Sequence, residues 1–143
     1  MDKLRIAVIG NGIIGEPHIS GYQSIPEAEV VAICDINEER LNYIGDKYGI
    51  KRRFTHIGKL LQEQDIDAVD VCLHNNMHAP VSIAVMQSGR HCYCEKPMAE
   101  DMYSANMLLD AVNAKRKAGF APGAVLQIGS QRRSGPAYHA AKE

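Results

Sequence analysis

Leu4-Arg5-Ile6-Ala7-Val8-Ile9-Gly10-Asn11-Gly12-Ile13-Ile14-Gly15, followed by Glu29-Val30-Val31-Ala32-Ile33-Cys34-Asp35, decides how this chain folds. Lys3 to Ile9 reads as an apolar strand. Gly10, Gly12 and Gly15 fit the pattern G-x-G-x-x-G. A helix is expected over Ile13 to Ser24, ended near Pro26, and a second apolar strand over Val30 to Cys34. That strand stops on Asp35, about twenty residues beyond the last glycine, the spacing of a dinucleotide-binding turn. The chemistry needs those residue types. The first glycine allows a sharp bend, the second lets a pyrophosphate approach the backbone, and the third lets helix pack on strand. The helix N-terminus offers free N–H groups and the positive end of its dipole to phosphate. Asp35 can accept hydrogen bonds from a ribose diol. An acid ending the second strand would also serve S-adenosylmethionine, so this stretch alone leaves both ligands open.

The rest of the chain repeats the alternation. Asn37 is a good N-cap for a helix carrying Leu41, Ile44 and Tyr48, and Gly49 is placed to end it. A short third strand is expected at Arg53 to Thr55, with Lys51-Arg52-Arg53 in a solvated loop. Leu60 and Leu61 fall in a short helix. Ala68 to Leu73 reads as the fourth strand and His74 to His78 as a polar loop. Pro80 then opens a helix with Val81, Ala84 and Val85 on its apolar face, closed by Gly89. His91 to Cys94 is the fifth strand. Met98, Met102, Ala105, Leu109 and Val112 predict the buried stripe of a long helix. Ala124 to Gly129 reads as a sixth strand, and Ser134 or Gly135 opens a further helix. Strands alternating with helices predict an α/β fold with a doubly wound parallel sheet, the Rossmann arrangement. Ligands in such sheets bind beyond the strand carboxyl ends. Asn11, Asp35, Asn75, Lys96 and Gln131 all stand just past a strand, so one polar rim is expected. His18, inside the first helix, reads as a helix-surface or interface histidine rather than a catalyst.

Totals exclude several classes. The chain has 143 residues, 45% of them hydrophobic, and a net charge of −1. It has no basic block for nucleic acid or anionic lipid and no apolar run long enough to span a bilayer. Leu4 to Ile9 is too short for a signal peptide, so a cytoplasmic protein is the expectation. Cys34, Cys72, Cys92 and Cys94 lie in or beside apolar runs and read as buried free thiols. No second cysteine pair or His cluster completes a zinc site, so no metal is expected.

Val69-Asp70-Val71-Cys72-Leu73-His74-Asn75-Asn76-Met77-His78-Ala79 and Ser88-Gly89-Arg90-His91-Cys92-Tyr93-Cys94-Glu95-Lys96-Pro97-Met98-Ala99 carry a further signal. With the glycine turn they resemble the Gfo/Idh/MocA oxidoreductases, named for glucose-fructose oxidoreductase and inositol dehydrogenase. Glu-Lys-Pro after a strand is the most specific mark. Asn-x-x-His-Ala and Gly129-Ser130-Gln131-Arg132-Arg133 support it. The resemblance implies a nicotinamide-dependent dehydrogenase of a sugar, cyclitol or related polyol. In it Lys96 is the catalytic residue, hydrogen-bonding the reacting oxygen and helping to move its proton. Gly10, Asn11, Gly12, Ile13, Ile14, Gly15, Asp35, Leu73, Asn75, His78, Glu95, Lys96 and Gln131 would hold the cofactor. Glu95 and Asn75 match positions at the nicotinamide ribose. His78 matches one near the nicotinamide, with an N-cap role as its alternative, and Pro97 is expected in a cis peptide. Asp35 favours NAD over NADP, because a carboxylate repels a 2′-phosphate.

Many members carry Thr-Pro where Leu73-His74 stands here, which leaves contacts to the adenosine open. Members continue into a second α/β domain that supplies further proton-transfer groups and usually the oligomer interface. The expectation is therefore a dinucleotide-binding domain over 1–130, with 131–143 beginning a helix towards an absent second domain. The fragment alone would bind NAD without turnover, and its parent would be a homo-oligomer. The alternative is a non-catalytic dinucleotide-binding sensor or partner module, complete at this length.

Overall fold

The computed structural model describes residues 3–117, 124–131 and 140. Six parallel strands form one sheet: β1 (Leu4–Ile9), β2 (Ala28–Cys34), β3 (Arg52–Phe54), β4 (Ala68–Val71), β5 (His91–Cys94) and β6 (Leu126–Ile128). Their order across the sheet is β3-β2-β1-β4-β5-β6, and every neighbouring pair is parallel. Parallel neighbours need crossover connections. These carry α1 (Gly15–Tyr22), α2 (Glu38–Tyr48), α3 (Ile57–Leu60), α4 (Asn75–Gln87) and α5 (Met102–Lys117). The order reverses direction at β1 and β4, so the crevice between their carboxyl ends is where such a sheet binds ligand.

Alternating side chains divide the core into two layers, as period-2 geometry requires. Ile6, Val8 and Ile33 face Ile19 of α1 and Leu41 and Ile44 of α2. Ala7, Ile9, Ala32, Val69 and Val71 face Leu60 of α3 and Val81, Val85 and Met86 of α4. Both sides of the central strands are therefore covered, which is why their sequences are nearly unbroken apolar runs.

Local signals placed several elements as expected. Asn37 caps α2, its Oδ1 accepting from the Arg40 N–H at 2.9 Å. Gly49 ends it in the left-handed region at φ 70°. Gly89, at φ 85°, follows α4. Four readings need correction. α1 begins at Gly15 rather than Ile13, because 12–14 form the turn itself. α4 begins at Asn75, so His74 to Gln87 is not loop followed by a Pro80 start; Pro80 lies inside the helix. There it removes one backbone hydrogen bond near the N-terminal end.

The α5 stripe is partly as expected: Ala105 and Val112 are half-buried, and Val112 packs against the core. Leu108 is fully buried, whereas Met102 and Leu109 are 75% and 55% exposed. Burying Leu108 contributes roughly 1.5–3 kcal/mol. The basic cluster is not a solvated loop, because Arg52 and Arg53 lie in β3. Arg52 forks onto Asp65 and also pairs with Glu63. Arg53 packs across Gly45, which has no side chain to obstruct it, and reaches Asp46 at 2.7 Å. Among the described residues no helix is long and apolar enough to cross a membrane.

Candidate functional site

The strands end level with one another. In register, Phe54, Cys34, Ile9, Val71, Cys94 and Ile128 form one row across the sheet. The hydrogen-bond ladder runs one residue further. Asp35 N–H donates to the Phe54 carbonyl, Gly10 to Cys34, Cys72 to Ile9, Glu95 to Val71 and Gly129 to Cys94, at 2.7 to 3.1 Å. Asp35, Gly10, Cys72, Glu95 and Gly129 thus form the next row, and the loops beyond it share one edge. Asn11, Asn75, Lys96 and Gln131 all leave from that edge, so the expected rim exists.

The three glycines of the turn do different work. Gly10 has φ +87°, and a Cβ there would lie 2.3 Å from the Cys72 carbonyl oxygen. A Cβ at Gly15 would lie 1.9 Å from the Gly10 carbonyl oxygen. Both positions are fixed by the protein's own packing. Gly12 is different: its φ is not positive, and a Cβ would meet nothing within 4 Å. Among the described residues no contact requires glycine at that position. The turn there leaves room for a ligand to approach the backbone, and α1 starts just beyond without any side-chain cap. Beside it, Ile13 is 91% exposed.

Asp35 lies against this turn. Its Oδ2 accepts from Asn11 N–H at 2.7 Å and its Oδ1 from Asn37 N–H at 2.9 Å. One carboxylate therefore ties the glycine turn to the start of α2, with lone pairs remaining for a diol. Asn11 itself is fully buried, and its side-chain Oδ1 lacks a hydrogen-bond partner. Asn11 thus meets the rim through its backbone. Arg40 holds the other end of the same residue, donating from Nε to the Asn11 carbonyl at 2.7 Å.

At the other end of the rim, Lys96 is exposed directly after β5. Its backbone N–H donates to Glu95 Oε2 at 3.1 Å, and the Lys96–Pro97 peptide is cis, as expected. Glu95 is buried at 7% exposure, and its ion pair is with His18, not with Lys96. His78 is 1% exposed in the first turns of α4. Its Nδ1 lies 2.5 Å from the Pro97 carbonyl oxygen and its Nε2 2.9 Å from that of Leu73. The ring bridges the loops after β4 and β5. The helix N-cap position is His74, so the alternative capping role for His78 is corrected. Asn75 and Gln131 are exposed, and Leu73 is half-buried. Arg132 and Arg133 of the last motif, and the helix expected from Ser134 or Gly135, lie outside the described residues.

His18 is not an isolated helix-surface group. Its Nδ1 is 2.8 Å from Asp70 Oδ2 and its Nε2 is 3.5 Å from Glu95 Oε1. Its ring meets Tyr93 edge-on. Tyr22 Oη donates to the same Asp70 oxygen at 2.9 Å, and the Cys72 thiol to Oδ1 at 3.3 Å. The hydrogen bond to Asp70 raises the His18 pKa against the opposing effect of burial. Burial pushes the Tyr22 hydroxyl and Cys72 thiol upwards. Ligand-type atoms of His18, Asp70 and Cys72 lie within 4.8 Å of one another, a grouping not visible in the sequence. Here they are each other's hydrogen-bond partners. All four thiols are free as expected; Cys34, Cys92 and Cys94 are buried, whereas Cys72 is half-buried.

Sequence reasoning missed His18 and Glu16 as neighbours of the site, together with Ile36, which follows Asp35 and is 90% exposed, and it placed Arg40 too far along the chain to bear on the choice between NAD and NADP. An apolar residue just past the acid was the one signal available for Ile36. Glu16 carried none, since its partners are 24 or more residues away.

Residues 4–122 match a sequence profile described as an oxidoreductase family with an NAD-binding Rossmann fold. Among curated proteins, a 4-carboxy-2-hydroxymuconate-6-semialdehyde dehydrogenase of a Sphingobium species is 33% identical over 94% of this chain and 41% of its own. The myo-inositol 2-dehydrogenase of Thermotoga maritima is 32% identical over 75% of this chain and 32% of its own. Among solved structures, the Bordetella pertussis WlbA dehydrogenase, in complex with NADH and UDP-GlcNAcA, superposes with a TM-score of 0.85 at 30% identity. That match covers 98% of this chain and 41% of that one. The chain spans about two fifths of the length of such relatives.

Proposed function

The chain belongs to the Gfo/Idh/MocA oxidoreductase family, and from that premise we propose that it forms the NAD-binding part of a dehydrogenase acting on a cyclitol, sugar or related polyol. Gly12 carries the cofactor reading, as the glycine of the β1–α1 turn that no contact among the described residues requires. The turn from Gly10 to Gly15 receives the pyrophosphate, Asp35 the adenosine ribose, and Glu95 and Asn75 the nicotinamide end. Residues 1–130 are the binding unit. NAD, when bound, supplies the hydride acceptor for a carbinol carbon. Lys96, as the neutral amine, would accept the hydroxyl proton of that carbinol while the C–H electron pair passes to the hydride acceptor, and the ammonium so formed would hydrogen-bond the oxygen. His78 holds the loop carrying Lys96 against the loop after β4, so the amine is presented from two tethered loops. Four free thiols suit a reducing compartment, and we place the protein in the cytoplasm.

Calorimetric titration with NAD tests this reading. Saturable binding is expected, and Gly12→Val should abolish it while the chain stays folded, because a Cβ at that position meets nothing within 4 Å. A chain that does not bind NAD, or a Gly12→Val variant that binds it unchanged, would overturn the reading.

A further inference from the structure

Glu16 stands at the second position of α1, immediately beyond the glycine turn. An acid so close to a phosphate site is a liability unless its charge is answered. It is answered twice. Arg40 from the start of α2 pairs with Oε2. Lys47 from the end of α2 lies 2.7 Å from Oε1, and Tyr48 Oη is 3.3 Å from that oxygen. Glu16 is only 21% exposed on its side chain, and its hydrogen bonds to Lys47 and Arg40 lower its carboxyl pKa. Tyr43 adds a ring beneath both cations, 5.4 Å from Arg40 and 5.7 Å from Lys47.

The position of Arg40 matters for nucleotide choice. Asp35 and Arg40 grip the same residue, one at the Asn11 N–H and the other at its carbonyl, each at 2.7 Å. If Asp35 receives the adenosine ribose, Arg40 is a cation tied through Asn11 to the same turn. A guanidinium there would recognise a 2′-phosphate by its planar fork. Here the fork is turned onto Glu16 and the Asn11 carbonyl.

We propose that Glu16 is a specificity-determining residue: by holding Arg40 it withholds from a 2′-phosphate a cation that could neutralise it. Asp35 repels the phosphate directly, and Glu16 removes the compensation. Discrimination between NAD and NADP is therefore built from two acids on two elements. The inference rests on the NAD reading above and adds to it a residue that need not touch the cofactor.

The test measures dissociation constants for NAD and NADP with the unchanged chain, with Glu16→Gln and Glu16→Ser, and with Glu16→Gln combined with Arg40→Gln. Removing one fixed charge beside another at a protein surface is worth about tenfold in affinity. NADP should tighten by about that factor in either single variant while NAD stays within about twofold, which also reports that the variant is folded. The gain should vanish when Arg40 is replaced as well. Two carboxylate-free side chains keep the test open if one of them fails to fold. NAD binding with an unchanged NADP-to-NAD ratio in the single variants overturns the proposal alone. A gain that survives Arg40→Gln also overturns it. Failure of the unchanged chain to bind either nucleotide overturns the cofactor reading and this proposal with it.

Discussion

His18 Nδ1 lies 2.8 Å from Asp70 Oδ2, joining α1 to the middle of β4 beneath the rim. Asp70 is 1% exposed and takes donors from His18, Tyr22 and Cys72. The groups facing His18 are Asp70, Glu95, Cys72 and Tyr93. Two carboxylates among them favour the imidazolium, and the His18 pKa is raised above 6.5, chiefly by the Asp70 hydrogen bond. A raised folded-state value means that this stabilisation is fully present below about pH 6.5 and fades as pH climbs through the folded-state value. The melting temperature should therefore fall on the alkaline side of 6.5. Asp70→Asn should flatten that slope and cost about 2 kcal/mol, since a buried network loses its acceptor charge. An unaltered slope in the variant would show that another group sets it. Thermal melts across a pH series read both.

Gly10 separates strain from collision. Gly10→Ala adds a Cβ 2.3 Å from a backbone oxygen at positive φ, whereas Gly49→Ala, at φ +70°, meets nothing within 4 Å. The second change should cost about 1 kcal/mol, and the first about 3 kcal/mol or more. Equal losses in denaturant titration would mean that the contact between the turn and Cys72 is softer than the structure places it.

Lys96→Met should leave the melting temperature and the NAD dissociation constant within about twofold, because the side chain is exposed. In the dehydrogenase of which this chain is proposed as the NAD-binding part, hydride transfer from the polyol to NAD should drop by roughly a hundredfold or more, the usual loss on removing a proton-transfer group. Formation of NADH at an undiminished rate would remove Lys96 from the chemistry.

Burial raises the Cys34 and Cys94 thiols to about 11 and Cys92 to about 12. The thiolate is the reactive form. Alkylation at pH 8 should therefore leave these three unmodified in the folded chain and label them after denaturation. Mass spectrometry after a timed pulse distinguishes the two states. Rapid labelling in the folded chain would mean that the strands carrying them open.

Much of the site was legible because chemistry at a strand end is local in sequence. A glycine turn following an apolar run, and Glu95-Lys96-Pro97 following another, each announce themselves within a dozen residues. The α4 start was not, since the polar segment from Asn75 to His78 looks like loop until His78 is seen bridging two carbonyls. The α5 stripe was legible only in part: Ala105 and Val112 lie on the inward face, but Met102, Tyr103, Met107 and Leu109 are apolar yet exposed. Hydrophobic periodicity cannot choose among apolar faces when a helix carries more than one.

By itself, the sequence determined the alternation of strands and helices, the glycine bend and the acid that closes β2. Each of these follows from backbone freedom, side-chain period or a charge at a fixed short spacing. Only the tertiary structure decided that Glu16 meets Arg40 and Lys47, that His18 meets Asp70, and that Gly12 alone among the turn's glycines faces open space. Those facts depend on which elements the sheet order brings together, and contact between residues far apart in the chain leaves no periodic trace along it.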